Sequence, residues 1–165
     1  MIRCIILTVI LCVAAGLLQS TVISQIAFLN VIPDIALCIL VYSAYINGTM
    51  NGQVSGFLSG LFLDFLSGAP LGLNCLIRTL IGALAGIFKG ALFLDTFLMP
   101  VILCALATLI KSVIMILLHV IFGSLVPPYS FTSSLLWIEL GLNCLSAPLL
   151  FLILKQIKPL SAGRN

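Results

Sequence analysis

The chain is an almost continuous hydrocarbon sequence that a few ionisable side chains interrupt. Hydrophobic residue types make up 62% of its residues and charged types 7%, and the mean hydropathy is +1.37. This composition predicts a membrane protein, in which a charged side chain at mid-depth costs about 3 to 15 kcal/mol unless a partner matches it. Five embedded residues therefore mark where architecture or function should be sought: Asp34, Asp64, Arg78, Lys111 and Glu139.

Breaks rich in Pro and Gly divide the sequence into apolar segments, as expected where helices stop. We predict a single polytopic domain, all α-helical, with six membrane spans at about 4–29, 34–47, 51–67, 72–90, 97–122 and 133–155. A perpendicular span needs about 20 residues, so the second and third segments are short. They could form a re-entrant hairpin, but a helical face follows the glycine loop between them at once, which favours two short spans.

The N-terminal region resembles a secretory signal, with one basic residue and then an apolar stretch. A cleaved signal has an apolar region of about 7–15 residues, whereas here the apolar character continues from Cys4 to Phe28 with short interruptions. We expect a retained first span.

Lys and Arg residues predict the orientation of the spans. With six spans both termini lie on one side, and the basic residues outside the membrane then share that side. We therefore expect cytoplasmic termini. The residues concerned are Arg3, Lys89, Lys155, Lys158 and Arg164. Trp137 and Tyr129 fall near the opposite interface, where amphipathic rings prefer to lie.

Glycines recur at every fourth residue in two segments: Gly48, Gly52, Gly56 and Gly60, then Gly82, Gly86 and Gly90. This spacing puts each set on one helix face, and small residues there allow close helix packing in membranes. Two interpretations stay open, packing within the chain and docking of a partner's membrane helix.

The embedded charges are expected to form pairs. Asp64 and Arg78 flank a tight turn, so their helices should be antiparallel neighbours and a carboxylate–guanidinium pair is available. Lys111 and Glu139 are a plausible second pair on adjacent helices. Three roles stay open: locking the helix register, lining a cavity for a lipid headgroup or small ligand, and relaying protons or ions.

Few residues have the spacing that catalysis or metal binding requires. His119 is the single histidine, the six cysteines lie apart in apolar stretches, and the glycines do not form a phosphate-binding loop. There is no basic run of the kind that binds nucleic acid. We expect no enzyme activity, no cofactor, no metal and no nucleic acid partner.

The segment from Pro33 to Asn74 carries a specific pattern. Pro-Asp is followed by Gly-Phe-x-x-Gly-x-x-x-Asp-x-x-Ser-Gly-x-x-Leu-Gly. This pattern resembles the signature of the bacterial rod shape-determining protein MreD family. The matching residues, expected to serve helix packing or partner contact, are Pro33, Asp34, Gly56, Phe57, Gly60, Asp64, Ser67, Gly68, Leu71 and Gly72.

The resemblance implies a non-enzymatic scaffold in the bacterial inner membrane that binds MreC through its membrane helix and regulates lateral peptidoglycan synthesis and cell shape. The wider elongation complex, or elongasome, includes MreB, RodA and a class B transpeptidase. The resemblance also implies a fold similar to the substrate-binding subunits of energy-coupling-factor transporters. The alternative is a small-molecule or lipid-carrier binding subunit of a transporter; in the second case Arg78 and Lys111 would bind an anionic headgroup.

Overall fold

The structure is a computed structural model that describes residues 2–21, 32–67, 70–89, 97–123, 126, 134–157 and 160. Gly68, Gly90, Tyr129, Lys158 and Arg164 lie outside the described residues. The helices are α1 (Ile2–Thr21), α2 (Ile35–Asn47), α3 (Thr49–Ser67), α4 (Leu73–Ile87), α5 (Leu98–Phe122) and α6 (Ser134–Lys155). The prediction of an all-helical chain with six helices is confirmed for the part of the chain that is described.

The helices differ in length. Three are long and apolar enough to span a membrane: α1 with 20 residues, α5 with 25 and α6 with 22. Of the two segments expected to be short, α2 has 13 residues and α3 has 19, while α4 has 15. At 1.5 Å per residue, α2 covers only about 20 Å, less than the hydrocarbon thickness of about 30 Å.

Helix α2 is the centre of the fold. Every residue from Ala36 to Ala44 is buried, and the helix contacts all five of the others. A helix that is hydrophobic on every side is stable in a protein core or in a membrane, and the burial of α2 shows that protein surrounds it. The short central helix is therefore enclosed by longer ones, and its N-terminal end lies among them.

Helices α3 and α4 form a tight antiparallel hairpin through their glycines. Gly52 and Gly82 are so close that a Cβ added to either would overlap the backbone of the other. A Cβ at Gly60 would lie 2.5 Å from a Cα of α4, and Gly56 and Gly86 also meet backbone atoms across the interface. These positions of both glycine stripes are therefore occupied by contacts within the chain.

Of the three described glycines that adopt positive φ angles, all at helix ends, two join α2, α3 and α4. Gly48 (φ 95°) is the one residue between α2 and α3, and Gly72 (φ 97°) begins α4. Residues with a Cβ seldom adopt this conformation. The two glycines therefore set the sharp reversals that bring α2, α3 and α4 together.

Candidate functional site

Asp34 caps the N-terminus of the central helix. It follows Pro33, and its Oδ1 accepts a hydrogen bond from the backbone N–H of Leu37 at 3.0 Å. The first N–H groups of a helix have no partner within the helix, and aspartate is among the preferred residues for satisfying them. The carboxylate is therefore held where the positive end of the helix dipole also favours it.

The same carboxylate is the centre of an ion-pair network. Arg78 Nη2 lies 3.1 Å from Asp34 Oδ1, and Lys111 Nζ lies 2.9 Å from Asp34 Oδ2. Lys111 Nζ also lies 2.6 Å from Glu139 Oε1. The four side chains come from the start of α2 and from α4, α5 and α6, and their formal charges cancel. None of them is more than 20% exposed.

Neutral side chains extend the network. Asn143 Oδ1 accepts from the backbone N–H of Asp34 at 2.7 Å, and Asn143 Nδ2 donates to Thr108 Oγ1 at 3.0 Å. Gln19 Nε2 donates to the carbonyl oxygen of Pro33. We call Asp34, Arg78, Lys111, Glu139 and Asn143 the Asp34 network. With Gln19 it ties α1, α4, α5 and α6 to the start of the central helix.

The structure corrects one predicted pair. Arg78 contacts Asp34 rather than Asp64, and Asp64 accepts hydrogen bonds from the backbone N–H groups of Gly72, Asn74 and Cys75 at 2.9–3.1 Å. The start of α4 offers unpaired N–H groups next to the turn. These N–H groups satisfy the fully buried Asp64 carboxylate. Arg78 lies more than one turn further along α4 and contacts the start of α2 instead.

The other expected pair is present as a contact. Lys111 and Glu139 meet between α5 and α6, but Lys111 also binds Asp34. The embedded charges therefore form one joined network and one separate helix cap, where the sequence predicted two separate pairs.

One fully buried donor of the network has no acceptor among the described residues. Arg78 is 6% exposed, and its Nη1 has no hydrogen-bond partner within the described part of the structure. A buried charged group that keeps an unsatisfied donor is costly. This atom is the feature of the site that its internal contacts leave unexplained.

Some of the remaining motif residues pack within the chain, and others are exposed on its surface. Pro33, Gly56, Gly60 and Gly72 shape the helix starts and the hairpin. By contrast Phe57 and Leu71 are exposed, as is Ser67, which has an interaction of its own. Close packing and turn geometry within the chain therefore account for Gly56, Gly60, Gly72 and Asp64, but not for these two apolar side chains.

Sequence reasoning missed Asn143. Its signal was present, since it lies four residues after Glu139 and therefore on the same face of α6. His119 takes no part in the network; its Nδ1 lies 2.7 Å from the carbonyl oxygen of Val126. Across the described ranges, no group of three or more His, Cys, Asp or Glu side chains could hold a metal ion.

Comparison with known proteins gives one match. The family model described as rod shape-determining protein MreD matches residues 1–157 of the chain. Neither a curated protein nor a solved structure matches it significantly. The likeness to transporter substrate-binding subunits therefore stays a prediction.

Proposed function

The chain belongs to the MreD family of rod shape-determining proteins, and from that premise we propose that it is a non-enzymatic scaffold subunit of the cell-elongation complex. In this proposal it binds the membrane helix of MreC and so regulates lateral peptidoglycan synthesis, within a wider assembly of MreB, RodA and a class B transpeptidase. The family match over nearly the whole chain is the observation that carries the proposal.

We further propose that the protein crosses the bacterial inner membrane six times with both termini in the cytoplasm. Contacts at one end of the bundle support this topology. Asn47 Nδ2 donates to Leu160 O at 3.1 Å, Cys4 Sγ lies 4.0 Å from the same oxygen, and Lys89 Nζ donates to Asn47 O at 3.4 Å. The first turn of α1, the α2–α3 turn, the end of α4 and the segment after α6 thus meet, as a shared cytoplasmic side requires.

The proposed docking face for MreC is the outer face of α3. It consists of residues at helical spacing that lie outside the glycine face: Met50, Val54, Phe57, Leu61 and Phe65. Leu61 is partly buried and the others are exposed. The glycine faces of α3 and α4 are occupied by each other, so a partner helix has to use another surface. Phe57 belongs to the family motif yet packs outward, which favours this face.

Co-purification tests the docking face. Tagged wild-type protein, Phe57→Ala and Phe62→Ala are expressed with MreC and purified in mild detergent. Phe57 and Phe62 are 49% and 51% exposed on the same helix, but Phe62 lies off the outer face. We expect Phe57→Ala to lower the recovery of MreC several-fold and Phe62→Ala to leave it unchanged. Equal recovery with both variants would reject the outer face of α3, and no recovery with the wild type would reject MreC binding.

A further inference from the structure

The end of the bundle where α2 turns into α3 carries exposed basic residues from three different elements. Arg3 lies in the first turn of α1, Lys89 follows α4, and Lys155 ends α6. We call these three residues the basic end. Contacts of Asn47 and Leu160 bring the first turn of α1, the end of α4 and the segment after α6 together there.

The charge of the basic end is not balanced within the chain. Every ion pair among the described residues belongs to the Asp34 network, so no described carboxylate neutralises the basic end. In the sequence, two further basic residues follow α6 and one acidic residue lies between α4 and α5: Lys158, Arg164 and Asp95. Five basic residues against one acidic residue leave a formal charge of +4, while the five embedded residues carry −1, in agreement with the net charge of +3. What this end lacks is therefore an anion.

The position of the basic residues favours a lipid as the source of that anion. They lie at helix ends, where an apolar helix reaches the membrane surface and long basic side chains extend to the headgroups. The turn beside them is short, since Gly48 alone separates α2 from α3. Lys89 lies over this turn, because a Cβ added to Gly48 would be 3.3 Å from its Cδ. The cations are therefore at the level of lipid phosphates.

Apolar side chains on the same helix faces can accommodate the acyl chains of such a lipid. Ile6 and Ile10 follow Arg3 at helical spacing on α1, and both are exposed. On α6 the exposed Leu152 lies three residues before Lys155. A phospholipid beside either helix can therefore keep its acyl chains on these residues while its headgroup reaches the basic residue.

We propose that the basic end binds the headgroups of anionic phospholipids, whose phosphate oxygens accept charge-assisted hydrogen bonds from Arg3, Lys89 and Lys155. In the proposed topology these lipids belong to the inner leaflet, whose negative surface potential attracts juxtamembrane basic residues. The proposal does not depend on MreC binding, and its test in detergent does not depend on the orientation of the protein.

Native mass spectrometry of the delipidated protein tests the proposal. The probes are dioleoylphosphatidylglycerol, dioleoylphosphatidylethanolamine, inorganic phosphate and polyglutamate. We expect the anionic lipid to bind at least about fivefold more tightly than the zwitterionic lipid with the same acyl chains. Equal binding of the two lipids would overturn the proposal, as would equally tight binding of inorganic phosphate, which lacks acyl chains. Tighter binding of polyglutamate would overturn it in favour of an acidic protein partner.

Matched pairs of variants assign the preference to the basic end. Arg3→Gln, Lys89→Gln and Lys155→Gln each remove one charge from an exposed side chain, whereas Arg3→Lys, Lys89→Arg and Lys155→Arg keep it. Each neutral variant should bind dioleoylphosphatidylglycerol about fivefold more weakly than its charge-keeping control, with no change for dioleoylphosphatidylethanolamine. If the neutral and charge-keeping variants bind the anionic lipid equally at all three positions, the role of the basic end is refuted.

A measurement on the wild type keeps the test independent of the folding of the variants. A phosphatidylglycerol with a photoreactive group in its headgroup is cross-linked to the protein, and the modified peptides are mapped. Adducts near Arg3, Lys89 or Lys155 are expected. Adducts confined to the opposite end of the bundle, around Leu71 and Ser134, would contradict the assignment.

Discussion

Replacing Asp34 with alanine should be the most damaging single change in the described part of the chain. The carboxylate caps α2 and is the one anion that contacts Arg78 there. Removing one member of a buried pair costs about 3–5 kcal/mol, because the other charge is left uncompensated, and loss of an N-cap costs about 1 kcal/mol. Lys111 keeps Glu139, so we count one orphaned charge and expect a loss of about 4–6 kcal/mol.

Asp34→Asn separates the two contributions. The amide oxygen can still accept from the backbone N–H of Leu37, so the cap survives while the charge is lost. We therefore expect Asn to retain about 1 kcal/mol relative to Ala. The assay is thermal or denaturant unfolding in detergent, followed by tryptophan fluorescence or by thiol reactivity of the buried cysteines.

The double variant Asp34→Ala/Arg78→Ala tests the pairing itself. If the two side chains interact, the double variant loses clearly less stability than the sum of the single losses, because it leaves no orphaned guanidinium. Strictly additive losses, or a loss below about 1 kcal/mol for Asp34→Ala, would refute the argument that Asp34 compensates Arg78.

Two further substitutions test the α3–α4 hairpin. Gly60→Leu should destabilise the protein by several kcal/mol, because a Cβ there would lie 2.5 Å from a Cα of α4. The matched control in the same unfolding assay is Gly141→Leu on α6, where an added Cβ meets nothing within 4 Å. Equal losses of stability in the two variants would reject the close approach. Asp64→Ala should lower the free energy of unfolding by about 2–4 kcal/mol, because it leaves three backbone N–H groups without their acceptor. Amide hydrogen exchange should become faster selectively at Asn74 and Cys75. Unchanged protection of these amides would reject the role of Asp64 as a helix cap.

The sequence was sufficient to identify the charged residues of the site but not their pairing. A charge in hydrocarbon must be compensated, so Asp34, Arg78, Lys111 and Glu139 can be selected by composition and position alone. Asp64 was misassigned because a carboxylate beside a turn can meet either a side chain or the free N–H groups of the next helix. Sequence spacing does not distinguish these two partners, because the Arg78 side chain and the free N–H groups both lie in the first two turns of α4.

The glycine stripes show a similar limit. Glycines at a four-residue spacing predict that the backbone of another helix packs closely against their face, and this spacing is visible in the sequence. It does not say which backbone, and the structure places Gly52 against Gly82, so each stripe is the partner of the other. Phe57 lies outside the face that this pairing covers, and it is exposed.

The short length of α2 connects the charged network to the proposed six-span topology. If the Asn47 end of α2 lies at the cytoplasmic surface, a helix of about 20 Å starts roughly 10 Å short of the opposite surface. Backbone that is not helical at such a depth is tolerated only where protein satisfies its polar groups. Asn143 accepts from the Asp34 N–H, Gln19 donates to Pro33 O, and the Asp34 carboxylate accepts from Leu37. A carboxylate in that position requires cations, which Arg78 and Lys111 supply, and Glu139 then balances the second cation. In the proposed topology, the ion network thus follows from starting the central helix within the bilayer.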